Sequence, residues 1–204
     1  MLRIRIGLLF FFIMFVAATK VNAVTLFTAV LNGSQETPPN GSTANGFASF
    51  VLNDAQTALT FTATIFGIDV TGTQTPNNAN DNLLNAHIHC CAPPGTAASV
   101  RWGFFGSPFN DNNPNDEVFT PFANGVGGTF SGKWDAPEGN NTTLAAQLAG
   151  ILAGQSYINF HTVQFTGGEI RGQILVASEP EAISLLGFGL LVVVYVCRRR
   201  FRHH

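Results

Sequence analysis

The sequence predicts an all-β domain, a sandwich or barrel of about eight strands with one short helix. Composition is the first reason. Only 11% of residues are charged, 21 are glycine and 19 are phenylalanine, a mixture that favours strands joined by polar turns. The second is period-two alternation, clearest in Leu59-Thr60-Phe61-Thr62-Ala63-Thr64-Ile65, where the apolar side chains point one way and the threonines the other. The third is punctuation by Gly- and Pro-rich breaks at Thr37-Pro38-Pro39-Asn40-Gly41, 76–82, Pro93-Pro94-Gly95 and 110–114.

In chain order the predicted strands are 24–31, 46–52, 59–65, 86–89, 100–105, 128–134, 157–162 and 169–176. The segment 142–154 departs from this pattern. Its apolar residues recur at helical spacing, with Thr142 or Thr143 as N-cap and Gly154 as stop, so a short helix beside the sheet is expected. The last two strands fix their own register. With 163–167 as the turn, Phe160 faces Ile170 and Ile158 faces Gly172, which puts Ile158, Phe160, Ile170 and Ile174 on one face and Asn159, His161, Glu169 and Arg171 on the other. By the same logic His87 and His89 lie together opposite Ile88.

Those histidines are the chemical landmark. Apart from His203 and His204 at the C-terminus, the chain's histidines are His87 and His89, in Asn85-Ala86-His87-Ile88-His89-Cys90-Cys91, and His161, in Tyr157-Ile158-Asn159-Phe160-His161-Thr162. The second block runs on to Gly167-Gly168-Glu169-Ile170-Arg171-Gly172-Gln173-Ile174. Two histidines at i and i+2 on a strand project to one side, and a third from another strand completes a possible ligand set for copper or zinc. The alternative is a polar cluster in which His161 pairs with Glu169, and Glu169 with Arg171. Cys90 and Cys91, the only cysteines outside the C-terminal segment, are readable as a vicinal disulfide, as thiols or as metal ligands. Trp102 and Trp134 read as core aromatics, and 111–117 as a solvated acidic loop without the glycine an EF-hand requires at its sixth position. No Ser-His-Asp order, phosphate loop, dinucleotide fingerprint or paired-carboxylate motif stands out, so no catalytic residue is assigned.

The Ala-His-Ile-His segment, followed by Tyr-x-Asn-x-His-Thr and Gly-Gly-Glu-Ile-Arg-Gly-Gln, resembles the CHRD domain, named for chordin and common in bacterial exported proteins. The resemblance covers 25–176. It implies an immunoglobulin-like, Greek-key β-sandwich related to the copper-zinc superoxide dismutases, whose His-x-His strand binds copper. With three histidines the domain lacks the residues a dismutase needs for its second metal, so dismutase activity is not expected.

The ends read as export and anchoring signals. Arg3 and Arg5 precede an apolar stretch over 6–19, and Val21-Asn22-Ala23 offers a signal-peptidase site after Ala23, so 1–23 is read as a cleaved signal peptide; an uncleaved anchor is the alternative. At the other end, 178–204 carries Pro180-Glu181, an apolar run giving a transmembrane helix at about 182–197, and a basic tail with Arg198, Arg199 and Arg200. That order resembles the PEP-CTERM sorting signal of Gram-negative bacteria, although Ala182 stands where the family usually has a second proline. The resemblance implies an exosortase as partner beside signal peptidase, passage across the inner membrane, anchoring there by the C-terminal helix, and a final place on the cell surface or in the matrix. Between these ends, 24–177 is the CHRD domain. It holds ten acidic residues against Arg101, Lys133 and Arg171, a formal charge of −7, which excludes nucleic acid as a partner and suits a module that binds envelope or matrix polysaccharide or protein.

Overall fold

Alternation of apolar and polar residues produces nine antiparallel strands. The computed structural model describes residues 24–112 and 116–177. The strands are β1 (Thr25–Asn32), β2 (Asn45–Leu52), β3 (Ala58–Phe66), β4 (Leu83–Cys90), β5 (Val100–Phe105), β6 (Val118–Pro121), β7 (Gly127–Asp135), β8 (Ser156–Thr162) and β9 (Ile170–Val176), with helix α1 (Leu144–Leu152) between β7 and β8. In β2 and β3 every second residue is buried, as the alternation predicts. Hydrogen bonds join all nine into one sheet in the order β5-β4-β8-β9-β1-β2-β3-β7-β6, where the sequence led us to expect a sandwich of eight strands. The additional strand is β6. Its four residues are all exposed, so it carries no alternation to read, and its backbone pairs with β7.

The sheet is curled on itself, and aromatic packing shows how tightly. β3 and β5 stand far apart in the sheet order, yet the rings of Phe61 and Phe104 lie 4.6 Å apart and those of Phe61 and Trp102 5.8 Å apart. Trp102 of β5 stacks on Trp134 of β7 at 5.9 Å, and Phe130 of β7 meets Phe160 of β8 at 5.4 Å. Even the two outermost strands approach, through Phe105 and Phe119 at 5.9 Å. Phe61, Trp102, Phe104, Phe130, Trp134 and Phe160 are buried, and each contributes on the order of 1.5–3 kcal/mol through the apolar surface it removes from water. The tryptophans need partners for their N–H groups, and Glu138 supplies both: its carboxylate accepts from Trp102 Nε1 at 3.2 Å and its carbonyl from Trp134 Nε1 at 2.8 Å.

Helix α1 begins at the predicted cap, where Thr143 Oγ1 accepts from the Ala146 N–H at 3.3 Å, and its apolar Leu144 and Ile151 complete the core. Gly150 faces Cys90 and Cys91, which are joined as a disulfide, and a Cβ there would collide with both sulfurs. Among the described residues no helix is long and apolar enough to cross a membrane. The expected signal peptide with its cleavage site after Ala23 and the expected sorting segment with its transmembrane helix lie outside the described residues.

β8 is buried at all seven positions, and beside it β4 from Ala86 to Cys90 and β9 from Ile170 to Ile174 are buried on both faces as well. Its inner face carries Ile158 and Phe160 into the core. Its outer face carries Tyr157, Asn159 and His161 under the loops 33–40, 91–99, 106–110 and 163–168.

A three-histidine candidate metal centre

Register brings the histidines together. β8 pairs with β9 through Ile158↔Gly172 and Phe160↔Ile170, the alignment expected from the sequence, and with β4 through His87↔Asn159 and His89↔Tyr157. His87 and His89 therefore share the covered outer face with His161, Asn159 and Arg171, all of them buried. One ring nitrogen from each histidine lies within 4.8 Å of the other two.

Hydrogen bonding fixes which nitrogen that is. His87 Nε2 lies 3.1 Å from the Ser107 carbonyl, His89 Nδ1 2.9 Å from that of Ala98, and His161 Nδ1 2.9 Å from that of Thr166. A carbonyl only accepts, so on His87 and His89 the nitrogen facing it carries the proton and the other is a bare lone pair; on His161 the Asn159 Oδ1 also lies 3.1 Å from Nε2, which is a lone pair when the Asn159 amide is turned to present its NH2. Three lone pairs then point into one small space, on His87 Nδ1, His89 Nε2 and His161 Nε2. His87 Nδ1 and His161 Nε2 approach to 3.3 Å, while His89 Nε2 is buried without a hydrogen-bond partner. Lone pairs so arranged repel one another until a cation sits among them. Backbone carbonyls orienting the outer nitrogens are the usual second layer of a metal site.

Electrostatics keep the rings neutral. Burial, reinforced by the neighbouring His161 and His89, lowers the pKa of His87 to about 4. Burial likewise takes His89 to about 4 against the opposing Ala98 carbonyl, and lowers His161. Neutral imidazole is the form that ligates a metal. The Asn159 side-chain amide, 3.1 Å from His161 Nε2, offers the same space an oxygen or, turned over, an NH2 donor.

The residues around the trio are arranged differently from the predicted polar cluster. Glu169 does not pair with His161 or Arg171; hydroxyl donors lie closer, from Thr162 and Ser42, each at 2.6 Å. Arg171 donates instead to the Thr96 carbonyl at 2.9 Å, Gln173 Oε1 at 3.1 Å and Thr37 Oγ1 at 3.3 Å, with its guanidinium 3.5 Å over the Tyr157 ring. Tyr157 in turn stacks on His89 at 4.6 Å. Of the three readings open for Cys90 and Cys91, the disulfide is the one present, and it leaves neither sulfur as a thiolate ligand. The acidic loop at 111–117 is described only in part.

Three further participants escaped the sequence reading. Glu36, buried beneath the Pro38-Pro39 break, has its pKa raised to about 7 by burial, with Arg171 opposing, and its Oε1 is buried without a hydrogen-bond partner. Gln173 and Tyr157 hold Arg171 in place. Only the alternation of β8 and β9 signalled the last two, and nothing local signalled Glu36.

Comparison with curated proteins and with solved structures finds no significant match. The CHRD domain family model matches residues 27–174, a span that contains every strand from β2 to β8 and most of β1 and β9, together with all three converging histidines. The chain belongs to the CHRD domain family.

Proposed function

We propose that this CHRD domain is a copper- or zinc-binding module held by His87 Nδ1, His89 Nε2 and His161 Nε2. One observation carries the reading: three buried imidazoles, each with one nitrogen facing a backbone carbonyl, bring their other nitrogens together within 4.8 Å of one another. All-nitrogen ligation without a carboxylate suits copper or zinc and is a poor match for calcium or magnesium. The test is elemental analysis of the purified protein after expression with each metal supplied, beside a His87→Ala/His89→Ala variant. About one equivalent in the parent and none in the variant is the expected result. A folded parent that holds no stoichiometric metal overturns the proposal.

We place the module outside the inner membrane, anchored by the C-terminal segment or passed on to the cell surface, on the strength of the leader at 1–23 and the Pro180-Glu181, apolar and arginine-rich tail. Mass spectrometry of the native protein tests both ends. A mature N-terminus at Val24 and loss of Arg198–Arg200 are the outcomes of signal-peptidase and exosortase processing, and a protein retaining residues 1–23 sinks the cleavage reading.

A further inference from the structure

Beside the histidines, and independent of any metal there, lies a groove of about 410 Å³ between the 33–39 segment, the Pro94-Gly95 turn and the outer face of β9. That volume is within the range of small-ligand sites. Two charged side chains at its base set its chemistry.

Arg171 is 2% exposed, and among the described residues no carboxylate comes within ion-pair distance of it. Its three hydrogen bonds all go to uncharged oxygens and use three of its five N–H groups. A buried cation hydrogen-bonded only to neutral acceptors, with the Glu36 carboxyl attracting it only from beyond ion-pair distance, has given up hydration for little counter-charge, and an anion arriving in the groove adds to it. Glu36 is 7% exposed and presents the buried Oε1 that lacks a partner. Its carboxyl fits there because residue 168 is glycine; a Cβ at that position would collide with both carboxyl oxygens. A ligand that satisfies both groups needs a negatively charged acceptor for Arg171 and, beside it, a hydrogen-bond donor for Glu36. Ser34, Gln35 and Thr37 on the rim add hydroxyl and amide groups.

We infer that this groove binds a hydroxycarboxylate, with the carboxylate on Arg171 and an adjacent hydroxyl donating to Glu36 Oε1. A uronic acid residue of an acidic polysaccharide and a free hydroxy acid share this chemistry. The polysaccharide form gives the envelope module its ligand, and the free acid makes the domain a small-molecule binder.

Titration of the full-length protein by calorimetry with glucuronate, glucose, acetate and an oligo-uronate tests the inference. Glucuronate is expected to bind at least about tenfold more tightly than glucose, which lacks the carboxylate, or acetate, which lacks the hydroxyl, since each omission leaves one charged group unanswered. Tighter binding of the oligomer than of the monomer assigns the polysaccharide source, and equal binding assigns the free acid. Arg171→Lys is expected to weaken glucuronate about tenfold or more. Because that residue is buried, Ser34→Trp is the companion variant: it is exposed on the groove rim, leaves the fold intact and fills the space. Loss of glucuronate binding in Ser34→Trp with metal content unchanged supports the site. No binding of glucuronate or the oligomer by the parent, or binding that Ser34→Trp leaves intact, overturns it.

Discussion

Acidification of the metal-free protein from pH 7 to 4.5 is a direct assay of the converging imidazoles. His87 and His89 have their pKa values lowered from 6.5 to about 4 by burial, and His161 is shifted the same way. Between pH 6.5 and 4 the unfolded chain binds protons that the native rings refuse, so stability is present above pH 6.5 and is lost as pH falls through that window. At about 1.4 kcal/mol per unit, His87 and His89 each cost up to about 2.5–3 kcal/mol by pH 4.5. Glu36 works in the opposite direction. Burial raises its pKa from 4.5 to about 7, so the native state takes up its proton first and gains up to about 3 kcal/mol over the unfolded chain as pH falls from 7 to 4.5. One of the rings is thereby offset, and half-buried Glu117, whose pKa burial and the neighbouring Asp111 raise to about 7, offsets part of the other, so the histidine contribution is read from the difference between the parent and a histidine variant. Thermal unfolding of chelator-treated protein followed by circular dichroism across this range measures it. Glu36→Gln removes the offset and steepens the fall, while His87→Gln/His89→Gln flattens it. An equal slope between pH 6.5 and 4.5 in the metal-free parent and the double histidine variant refutes the reasoning.

Three more outcomes follow from the packing. Trp134→Ala, which removes a fully buried ring stacked on Trp102, is expected to cost about 3–5 kcal/mol by denaturant titration, with the slope unchanged. Glu138→Ala strips the acceptor from Trp102 Nε1 and from the Asn112 and Asp135 N–H groups, and an expected loss of about 2–4 kcal/mol is read by the same titration. Gly150→Leu drives a side chain into the Cys90–Cys91 disulfide; it is expected to lower Tm by several degrees and to increase protease cleavage near α1 more than cleavage in β2 or β3.

The parts of the molecule legible in the sequence are those fixed by local periodicity. The alternation in β2 and β3, the cap at Thr143 and the Phe160↔Ile170 register depend on residues within a few positions of one another, and a slip of one residue in β8 would exchange the core residues Ile158 and Phe160 for Asn159 and His161. The closeness of His87 and His161 required one further step, that β4 and β8 be neighbours, and that pairing joins residues some seventy positions apart that no local pattern links. The single curled sheet was not legible either. Curling is set by contacts such as Phe61 with Phe104 and Phe105 with Phe119, between strands distant in sheet order, and no local pattern records which phenylalanines will meet.

The same distinction separates the two sites. Each histidine is placed by its strand and oriented by a carbonyl from a different loop, at Ser107, Ala98 and Thr166, so the metal reading needs only that those loops close over the outer face. The groove needs more. Glu36 arrives from the segment after β1, more than a hundred residues before Arg171 and Gly168, and the Asn40 side chain fastens that segment to the Gly168 and Glu169 carbonyls at 3.1 and 3.0 Å. Asn40→Ala therefore separates the sites: loosening this tether is expected to weaken glucuronate binding several-fold while metal stoichiometry holds, because none of the carbonyls that orient the histidines belongs to the 33–40 loop. Equal loss of both ligands in Asn40→Ala would show that the outer face is one cooperative unit and that the groove has no independent existence.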